Sequence, residues 1–440
     1  MRLAYLALKF TLKFSLWVYY PRTRKINEPT KRFARTIFVS NHAASFMDPL
    51  VVASNQKPIV FFMTRADVFK PIMMPILWAA HMLPIYRAHD GEDTKKKNEE
   101  VFEKCNKILK NGRSLLIFGE GFTDDVFIRR LKPLKKGAAR IGFGALEKIN
   151  WSKNIYIQTV GVNYTEPNKF GSGTLISNGD PICLNDYRKE YEENPNKVIN
   201  HLTQHIEKDL RSQLTHVDKK EWAPFHENVM RLTRKGMNPD NFDKKYTLVE
   251  RWKYSQQLAN WLNEQDLEND EQLIGLKKDT DRYFALLKRS KLDEKYMFNL
   301  VSEETTRYKD LLFLILSLPV TLLGLIHGFI PYIITKKFVE NTMKRKVFWS
   351  SVKMMVGHIL MGLYNIGIVM LINALFIKNT PIAWAYFFLV PMLSGLIAYK
   401  AIQHLKDYKI KSKLAKQDVS TLVKMRKDIL EKIGAIIPVA

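Results

Sequence analysis

Three long apolar runs near the C-terminus constrain the fold of this chain more than any other feature. Residues 311–334, 354–377 and 381–399 contain no formally charged side chain. Because an apolar helix needs about 20 residues to cross a bilayer, each run predicts a transmembrane segment. Only residues 378–380 separate the second run from the third, which predicts a tight antiparallel membrane hairpin. We therefore expect a membrane protein whose residues 311–400 form its membrane segments.

The cations around these runs predict the sidedness of the chain. Lysine and arginine cluster at residues 336–353, after the first run, and at residues 400–416, after the third. Basic loops favour the cytoplasmic side, so both clusters are expected there, with residues 401–440 as a basic cytoplasmic tail. Since Pro319 and Pro331 interrupt the first run, we expect a broken, re-entrant or interfacial segment that keeps the N-terminal part cytoplasmic. A full span is the alternative.

The N-terminus has a second kind of membrane signal. Its first 20 residues are apolar and aromatic apart from Arg2, Lys9 and Lys13, which share a narrow arc of a helix. This pattern predicts an interfacial amphipathic helix within residues 1–30, and an ordinary packing helix is the alternative. The charges within the run, and the absence of a small-residue cleavage site after it, argue against a cleaved signal peptide.

Composition narrows the class of partner. A net charge of +25 and a pI of about 9.7 call for an anionic partner. No helix-turn-helix, zinc-ligand or RNA-recognition signature accompanies the charge, so we expect membrane lipids and no nucleic acid. The two cysteines, Cys105 and Cys183, stand in unrelated contexts, which indicates a reducing compartment and no cysteine-ligated metal.

Between residues 31 and 190 strands and helices alternate, which predicts an α/β domain with helices covering a largely parallel sheet. The candidate strands are Thr36–Ser40, residues 59–63, residues 83–86, Ser114–Phe118 and residues 155–162, and the clearest helical stretches are residues 94–109 and 134–148. Residues 191–310 are charged and amide-rich with helical apolar spacing, so we expect a helical polar region whose role the sequence does not reveal.

The polar side chains that follow the first strand are candidates for chemistry. Asn41 and His42 come directly after Thr36–Ser40, and Asp48 follows six residues after His42. A histidine with a nearby carboxylate is a plausible general base with its orienting partner. In a regular helix the two would not share a face, so they can meet only if the chain turns between them. The alternative is that His42 makes an ordinary local hydrogen bond.

Further polar groups follow later strands. Arg87 comes at the end of a strand and suits bidentate binding of a phosphate, although a surface cation is the simpler explanation. Glu120 and Gly121 follow Ser114–Phe118, where an ordinary turn is the alternative. Lys135 and Lys136 lead into a small-residue helix, and helix N-termini attract anions.

The set and order of these elements resemble the glycerolipid acyltransferase family, typified by bacterial lysophosphatidic acid acyltransferase, over about residues 30–190. The family motifs are N-H-x4-D, an arginine after an apolar strand, F-P-E-G, a K-x-G-A-A-R-I stretch and a short V-P-type strand. Asn41-His42 with Asp48, Arg87 and Phe118-Gly119-Glu120-Gly121 match the first three, residues 135–141 match the fourth, and residues 160–162 match the last.

Several departures from this pattern bear on the acceptor. Five residues separate His42 from Asp48, which resembles the fungal-type glycerol-3-phosphate acyltransferases and their bacterial relatives with C-terminal membrane segments. Gly119 and Gly161 stand where the family has proline. Phe-Thr at residues 122–123 replaces the usual Thr-Arg, so one phosphate-binding arginine is absent, and Arg129 or Arg130 is a candidate replacement.

The resemblance implies an acyltransferase-type mixed sheet covered by helices and a membrane-bound O-acyltransferase of phospholipid biosynthesis. The implied reaction moves a fatty acyl group from acyl-CoA or acyl carrier protein, with no cofactor or metal, to 1-acyl-glycerol 3-phosphate. His42 is then the general base and Asp48 its partner, and the substrate-binding residues are Asn41, Arg87, Glu120, Gly121, Lys135 and Lys136. Transfer to glycerol 3-phosphate is the alternative reaction. A non-catalytic membrane scaffold with this fold is the alternative of another class.

Overall fold

The structure, a computed structural model, describes residues 2–56, 59–69, 71, 74–86, 94–239, 245–301 and 307–438. The chain forms two compact units. The first comprises Met1–Ala223 with Lys235–Glu264, and the second comprises Pro224–Arg234 with Gln265–Ala440. The helices of the predicted polar region, residues 191–310, are therefore divided between the two units.

An eight-stranded mixed sheet lies at the centre of the first unit. Its strands are β1 (Arg22–Ile26), β2 (Thr36–Ser40), β3 (Val60–Arg65), β4 (Met82–Ile85), β5 (Ser114–Phe118), β6 (Tyr156–Tyr164), β7 (Gly173–Asn178) and β8 (Ile182–Cys183). Their order is β1-β7-β6-β2-β5-β3-β4, with β8 on β6. The pairings of β6 with β7 and with β8 are antiparallel and the others are parallel. The predicted mixed sheet is thus confirmed.

Helices surround this sheet. They are α1 (Arg2–Tyr19), α2 (Met47–Asn55), α3 (Met74–Ala79), α4 (Thr94–Lys110), α5 (Gly137–Lys148), α6 (Arg188–Glu193), α7 (Pro195–Ser212) and α9 (Leu248–Asn263). A further helix, α8 (Ala223–Thr233), begins where the first unit is interrupted and belongs almost wholly to the second unit. The core on one face joins alternate residues of β2, Ile37 and Val39, to buried side chains of α4, α5 and α7. Side chains alternate across a strand, so Ser40, which follows Val39, lies on the other face.

Helix α1 presents aromatic side chains outward. Tyr5 and Leu16 are buried, whereas Phe10 is 75 % exposed and Trp17 is 59 % exposed. Large exposed apolar groups on one helix face suit a membrane interface. The interfacial position of α1 stays a prediction.

The second unit is helical. In addition to most of α8, it contains α10 (Glu271–Arg289), α11 (Glu294–Val301), α12 (Arg307–Thr342), α13 (Trp349–Ile372), α14 (Thr380–Leu414) and α15 (Ser420–Ile436). Three helical segments, Arg307–Thr342, Lys346–Ile377 and Thr380–Leu414, are long and apolar enough to cross a membrane. This finding supports the predicted association with membranes.

The first of these segments differs from the sequence-based expectation of a break. Helix α12 is continuous from Arg307 to Thr342 and contains both Pro319 and Pro331. Packing against α14 explains why the helix persists despite the prolines: a Cβ on Gly324 would come within 2.2 Å of the Ser394 carbonyl oxygen, so the two backbones touch. Close backbone contact at small residues is typical of helices packed in membranes.

The turn between the second and third apolar helices is as short as the sequence predicts. Lys378 adopts a left-handed conformation with φ of 52°. Asn379 caps α14 by accepting the amide of Ile382, and proline follows in the first turn of the helix. A left-handed residue, an asparagine cap and an early proline together end one helix and begin the next.

Candidate active site

The loop between β2 and α2 brings His42 and Asp48 together. The left-handed conformation of Ser45, with φ of 54°, reverses the chain after His42. Asp48 then lies in the first turn of α2, where a carboxylate is favoured by the helix dipole. As a result, His42 Nδ1 is 3.0 Å from Asp48 Oδ2. The turn that the sequence requires for this pair is therefore present.

Asp48 is fully buried and accepts three hydrogen bonds. Oδ2 accepts from the Ala44 amide at 2.8 Å and from His42, and Oδ1 accepts from the Tyr164 hydroxyl at 2.8 Å. Burial and the Asp48 charge raise the pKa of Tyr164 well above its ordinary value, so this hydroxyl remains a donor. With Asp48 accepting, His42 carries its proton on Nδ1, which leaves the Nε2 lone pair available to a substrate.

The His42 ring packs against the end of a strand and is partly exposed to solvent. It stacks on Phe118, the last residue of β5, with ring centroids 4.5 Å apart. Its side chain is 21 % exposed, whereas that of Asp48 is 0 % exposed. The pair thus has a buried carboxylate and an accessible imidazole, which is the arrangement that proton abstraction from a substrate needs.

Glu120 joins this loop to the loop that follows β5. Its Oε1 accepts the His42 amide at 2.5 Å and its Oε2 accepts the Lys132 amide at 3.2 Å. Burial raises the pKa of Glu120, while these two amides act in the opposite direction. Both oxygens are thus engaged within the chain, and Glu120 positions the backbone of His42 in addition to its predicted contact with substrate.

Asn41 connects the end of β2 to β6. Its amide group donates to the Val162 carbonyl at 3.0 Å and accepts the Val162 amide at 2.8 Å. The side chain therefore imitates one more residue of the parallel ladder and fixes the point from which His42 leaves the sheet. This geometry favours a positioning role for Asn41 over its predicted role in substrate binding.

A cleft of about 320 Å³ has in its wall Glu120, the residue that accepts the His42 amide. It is lined by Glu120, Phe122, Asp124, Ile128, Arg130, Lys132, Pro133, Lys135 and Lys220. Its size and its mixture of cationic and apolar groups suit a small amphipathic ligand.

The remaining predicted site residues have different outcomes. Gly121 adopts φ of +77°, and a Cβ there would lie 2.8 Å from Lys135 Nζ, so glycine lets this ammonium group approach the backbone. Lys135 lines the cleft, whereas Lys136 is exposed and is not part of the lining. Arg87 lies outside the described residues.

The two candidate replacements for the absent arginine lie in different environments. Arg129 is 7 % exposed, and its guanidinium donates to the carbonyl oxygens of Tyr164, Thr165 and Met237. Arg130 is exposed and lines the cleft. Arg130 is therefore the available cation, and Arg129 secures the loop.

Sequence reasoning missed three parts of the site. Tyr164 ends β6, and no local motif marks it, since only the pairing of β6 with β2 brings it to Asp48. Nothing in the local sequence distinguishes Lys132 from the cations near it, although its ammonium nitrogen lies 3.1 Å from Asp124 Oδ2. Lys220 lies in the polar region for which no role was predicted.

Comparison with known proteins agrees with this geometry. Residues 22–163 match the family model described as Acyltransferase, which spans β1 to most of β6 and includes His42, Asp48 and Glu120. No curated protein matches the chain. Residues 22–163 of this chain therefore form an acyltransferase domain, consistent with the glycerolipid acyltransferase family, and this domain supports an acyltransferase enzyme of lipid metabolism.

Proposed function

We propose that the protein is a membrane-bound O-acyltransferase of phospholipid biosynthesis. It transfers a fatty acyl group from a thioester, acyl-CoA or acyl carrier protein, to the free hydroxyl of 1-acyl-glycerol 3-phosphate. The acyl thioester is a co-substrate, and no cofactor or metal takes part. The observation that carries this proposal is the His42–Asp48 pair, 3.0 Å apart, beside a cationic cleft.

The reaction follows from the orientation of the imidazole. His42 Nε2 accepts the proton of the acceptor hydroxyl as its oxygen attacks the thioester carbonyl carbon. Asp48 stabilises the imidazolium that forms and keeps the ring in the required tautomer. When the tetrahedral intermediate collapses, the carbon–sulfur bond breaks and the imidazolium returns its proton to the departing thiolate. General base catalysis of this kind contributes roughly 10²- to 10⁴-fold in rate.

The surrounding residues have supporting roles in this proposal. Glu120 holds the backbone amide of His42, and Asn41 fixes the residue before it, so the ring remains oriented without bound substrate. Gly121 and Lys135 contribute to the cleft that receives the acceptor. Arg87 and Lys136 remain predicted phosphate contacts, on the strength of the family resemblance.

Glycerol 3-phosphate is the second candidate acceptor. The five residues between His42 and Asp48 favour it, because this spacing resembles the glycerol-3-phosphate acyltransferases. The apolar lining of the cleft by Phe122, Ile128 and Pro133 favours an acceptor that already carries an acyl chain. Supplying both acceptors with one labelled thioester and identifying the product distinguishes the two reactions.

The decisive test is His42→Ala in the purified full-length chain. We expect acyl transfer to fall at least about 10²-fold, because the base is lost while Asp48, Glu120 and the fold remain. His205→Ala is the matched control, since His205 is exposed on α7 and is expected to leave turnover unchanged. Wild-type turnover by His42→Ala would refute the mechanism. A wild-type chain that transfers no acyl group from either thioester to either acceptor would favour the scaffold alternative.

We further propose that the catalytic domain lies on the cytoplasmic side. The basic segments after the first and third apolar runs support this placement, but it requires that the continuous α12 does not complete a crossing. Single cysteines introduced at Lys153 and Lys378 test it with a membrane-impermeant reagent. Labelling from outside is expected at residue 378, in the hairpin turn, and not at residue 153. External labelling at residue 153 would place the domain outside.

A further inference from the structure

The cleft beside His42 has an excess of positive charge. Its two carboxylates are already matched, because Lys132 Nζ lies 3.1 Å from Asp124 and 3.9 Å from Glu120. The same ammonium group lies over the Phe122 ring, 4.0 Å from its centroid. The Lys132 ammonium group is therefore already engaged by contacts within the chain.

Three other cations of the lining are not matched in this way. Within the part of the chain that the structure describes, Arg130, Lys135 and Lys220 form no ion pair with a carboxylate. Like charges brought around one small volume repel each other, and an anion in that volume relieves the repulsion. The charge of the cleft thus points to an anionic ligand group.

The loop that carries Arg130 is firmly attached at its C-terminal end. Arg129 is bonded to three backbone carbonyls, and its own carbonyl accepts the Val217 amide at 2.9 Å. The Leu131 amide donates to His216 Nδ1 at 2.8 Å. Both neighbours of Arg130 are therefore fixed, so its guanidinium starts from a defined position at the cleft.

Lys220 is supplied by chain that lies beyond the family match, which ends at residue 163. It begins a short 3₁₀ turn, Lys220–Trp222, in which the Trp222 side chain is buried. The turn begins three residues after Val217, which with His216 holds the Arg130 loop. The same short segment thus positions one cation and contributes another.

We propose that Arg130 and Lys220, with Lys135, bind the phosphomonoester group of a phosphorylated substrate, and that residues 213–222 complete the substrate site of the acyltransferase domain. A phosphomonoester dianion suits a guanidinium with two parallel donors and two ammonium groups. The inference rests on the proposed function for the identity of the reaction. Two sources carry this group: the acceptor, and the 3′-phosphate of acyl-CoA.

Kinetics of the full-length chain test the site. Arg130→Gln and Lys220→Gln are each expected to raise KM for the phosphorylated substrate about tenfold with little change in kcat, because one charge-assisted contact is lost in the bound state. Arg130→Lys should recover part of the loss. Lys153→Gln is the matched control, and its KM values should equal those of wild type. Lys153 is exposed just before β6, which pairs in parallel with β2, so it lies at the opposite end of these strands from His42.

The two phosphate sources are distinguished by varying one substrate at a time. A higher KM for 1-acyl-glycerol 3-phosphate assigns the acceptor phosphate to the site. A higher KM for acyl-CoA but not for acyl-dephospho-CoA assigns the donor phosphate. The proposal is overturned if both variants match Lys153→Gln in every KM, or if kcat alone falls.

A binding measurement separates failure of this site from failure of the proposed reaction. The His42→Ala chain is heated with 1-acyl-glycerol 3-phosphate, with acyl-CoA, or with their analogues that lack the phosphomonoester. We expect a phosphorylated ligand, but not its analogue without the phosphomonoester, to raise the melting temperature of the chain. Arg130→Gln together with Lys220→Gln should abolish that rise. Such a result, together with a wild-type chain that transfers no acyl group, would retain the phosphate site and reject the reaction. Stabilisation that survives both substitutions would reject the site.

Discussion

The hydroxyl of Tyr164 offers a sharp test of how the catalytic carboxylate is held. Tyr164→Phe removes the donor that lies 2.8 Å from Asp48 Oδ1 and leaves a fully buried carboxylate with one fewer partner. Hydrogen bonds to charged groups contribute about 1.5–3 kcal/mol, so the free energy of unfolding should fall by about that amount. We also expect kcat to fall about tenfold, because a carboxylate free to rotate aligns Oδ2 with His42 less often.

Tyr20→Phe is the matched control for this prediction. Tyr20 is 1 % exposed, packs 5.6 Å from the Tyr164 ring, and donates to the neutral carbonyl of Pro167 at 2.7 Å. A neutral hydrogen bond contributes only about 0.5–1.5 kcal/mol, and the Tyr20 hydroxyl donates to a carbonyl and not to the Asp48 carboxylate. Urea denaturation and steady-state kinetics of both variants in detergent measure the difference. Equal losses of stability, or an unchanged kcat for Tyr164→Phe, would refute the reasoning.

Two further predictions concern the segment after α7. Gly161→Ala should reduce the free energy of unfolding by about 1–3 kcal/mol, because the new Cβ would lie 2.5 Å from that of Gln213, whereas Gly144→Ala, with open space around it, should be neutral or stabilising in thermal melts. Burial and then the Arg211 guanidinium lower the pKa of His216 from 6.5. The unfolded chain therefore binds this proton more readily, and stability should fall as pH drops below about 6.5 and not change through this group above it. His216→Asn should remove that dependence of the melting temperature, and an unchanged pH profile would contradict it.

Strands with a strong local signal could be predicted closely, and the others could not. The strand β2 is buried throughout and apolar at its three central residues, and the predicted limits match the observed ones. In contrast, β1 has the sequence Arg-Thr-Arg-Lys-Ile and lies at the edge of the sheet with mostly exposed side chains. An edge strand lacks the apolar pattern that marks a buried strand, so pairing with β7 alone reveals it.

The site shows the same division between local and long-range information. His42 and Asp48 are six residues apart, so a motif and a turn suffice to pair them. Tyr164 is 116 residues from Asp48 in sequence, and its contribution follows only from strand order. Arg129 and Arg130 are adjacent residues of the same type, so the sequence does not distinguish them. Only the carbonyl oxygens around Arg129 identify it as the buried anchor and Arg130 as the accessible cation.

The continuity of α12 could not be predicted because it depends on a neighbour. Two prolines in an apolar run remove backbone hydrogen bonds and favour a break when the run is considered alone. Contact of Gly324 with the backbone of Ser394 on α14 provides packing along the helix that offsets this cost. Tertiary contact thus overrides the local preference of the sequence.

The two backbone hydrogen bonds that Glu120 accepts have a practical consequence for the redesign of acceptor choice. Residues 121–131 form a loop whose two ends are joined, because Glu120 at one end accepts the amide of Lys132 at the other. Residues 121–128 of this loop could be exchanged for segments of other length or polarity without moving His42, provided that the Glu120 carboxylate and the Arg129 anchor are retained. Changing Glu120 itself would release the substrate wall and the catalytic base together, so libraries that randomise it would confuse altered selectivity with lost chemistry.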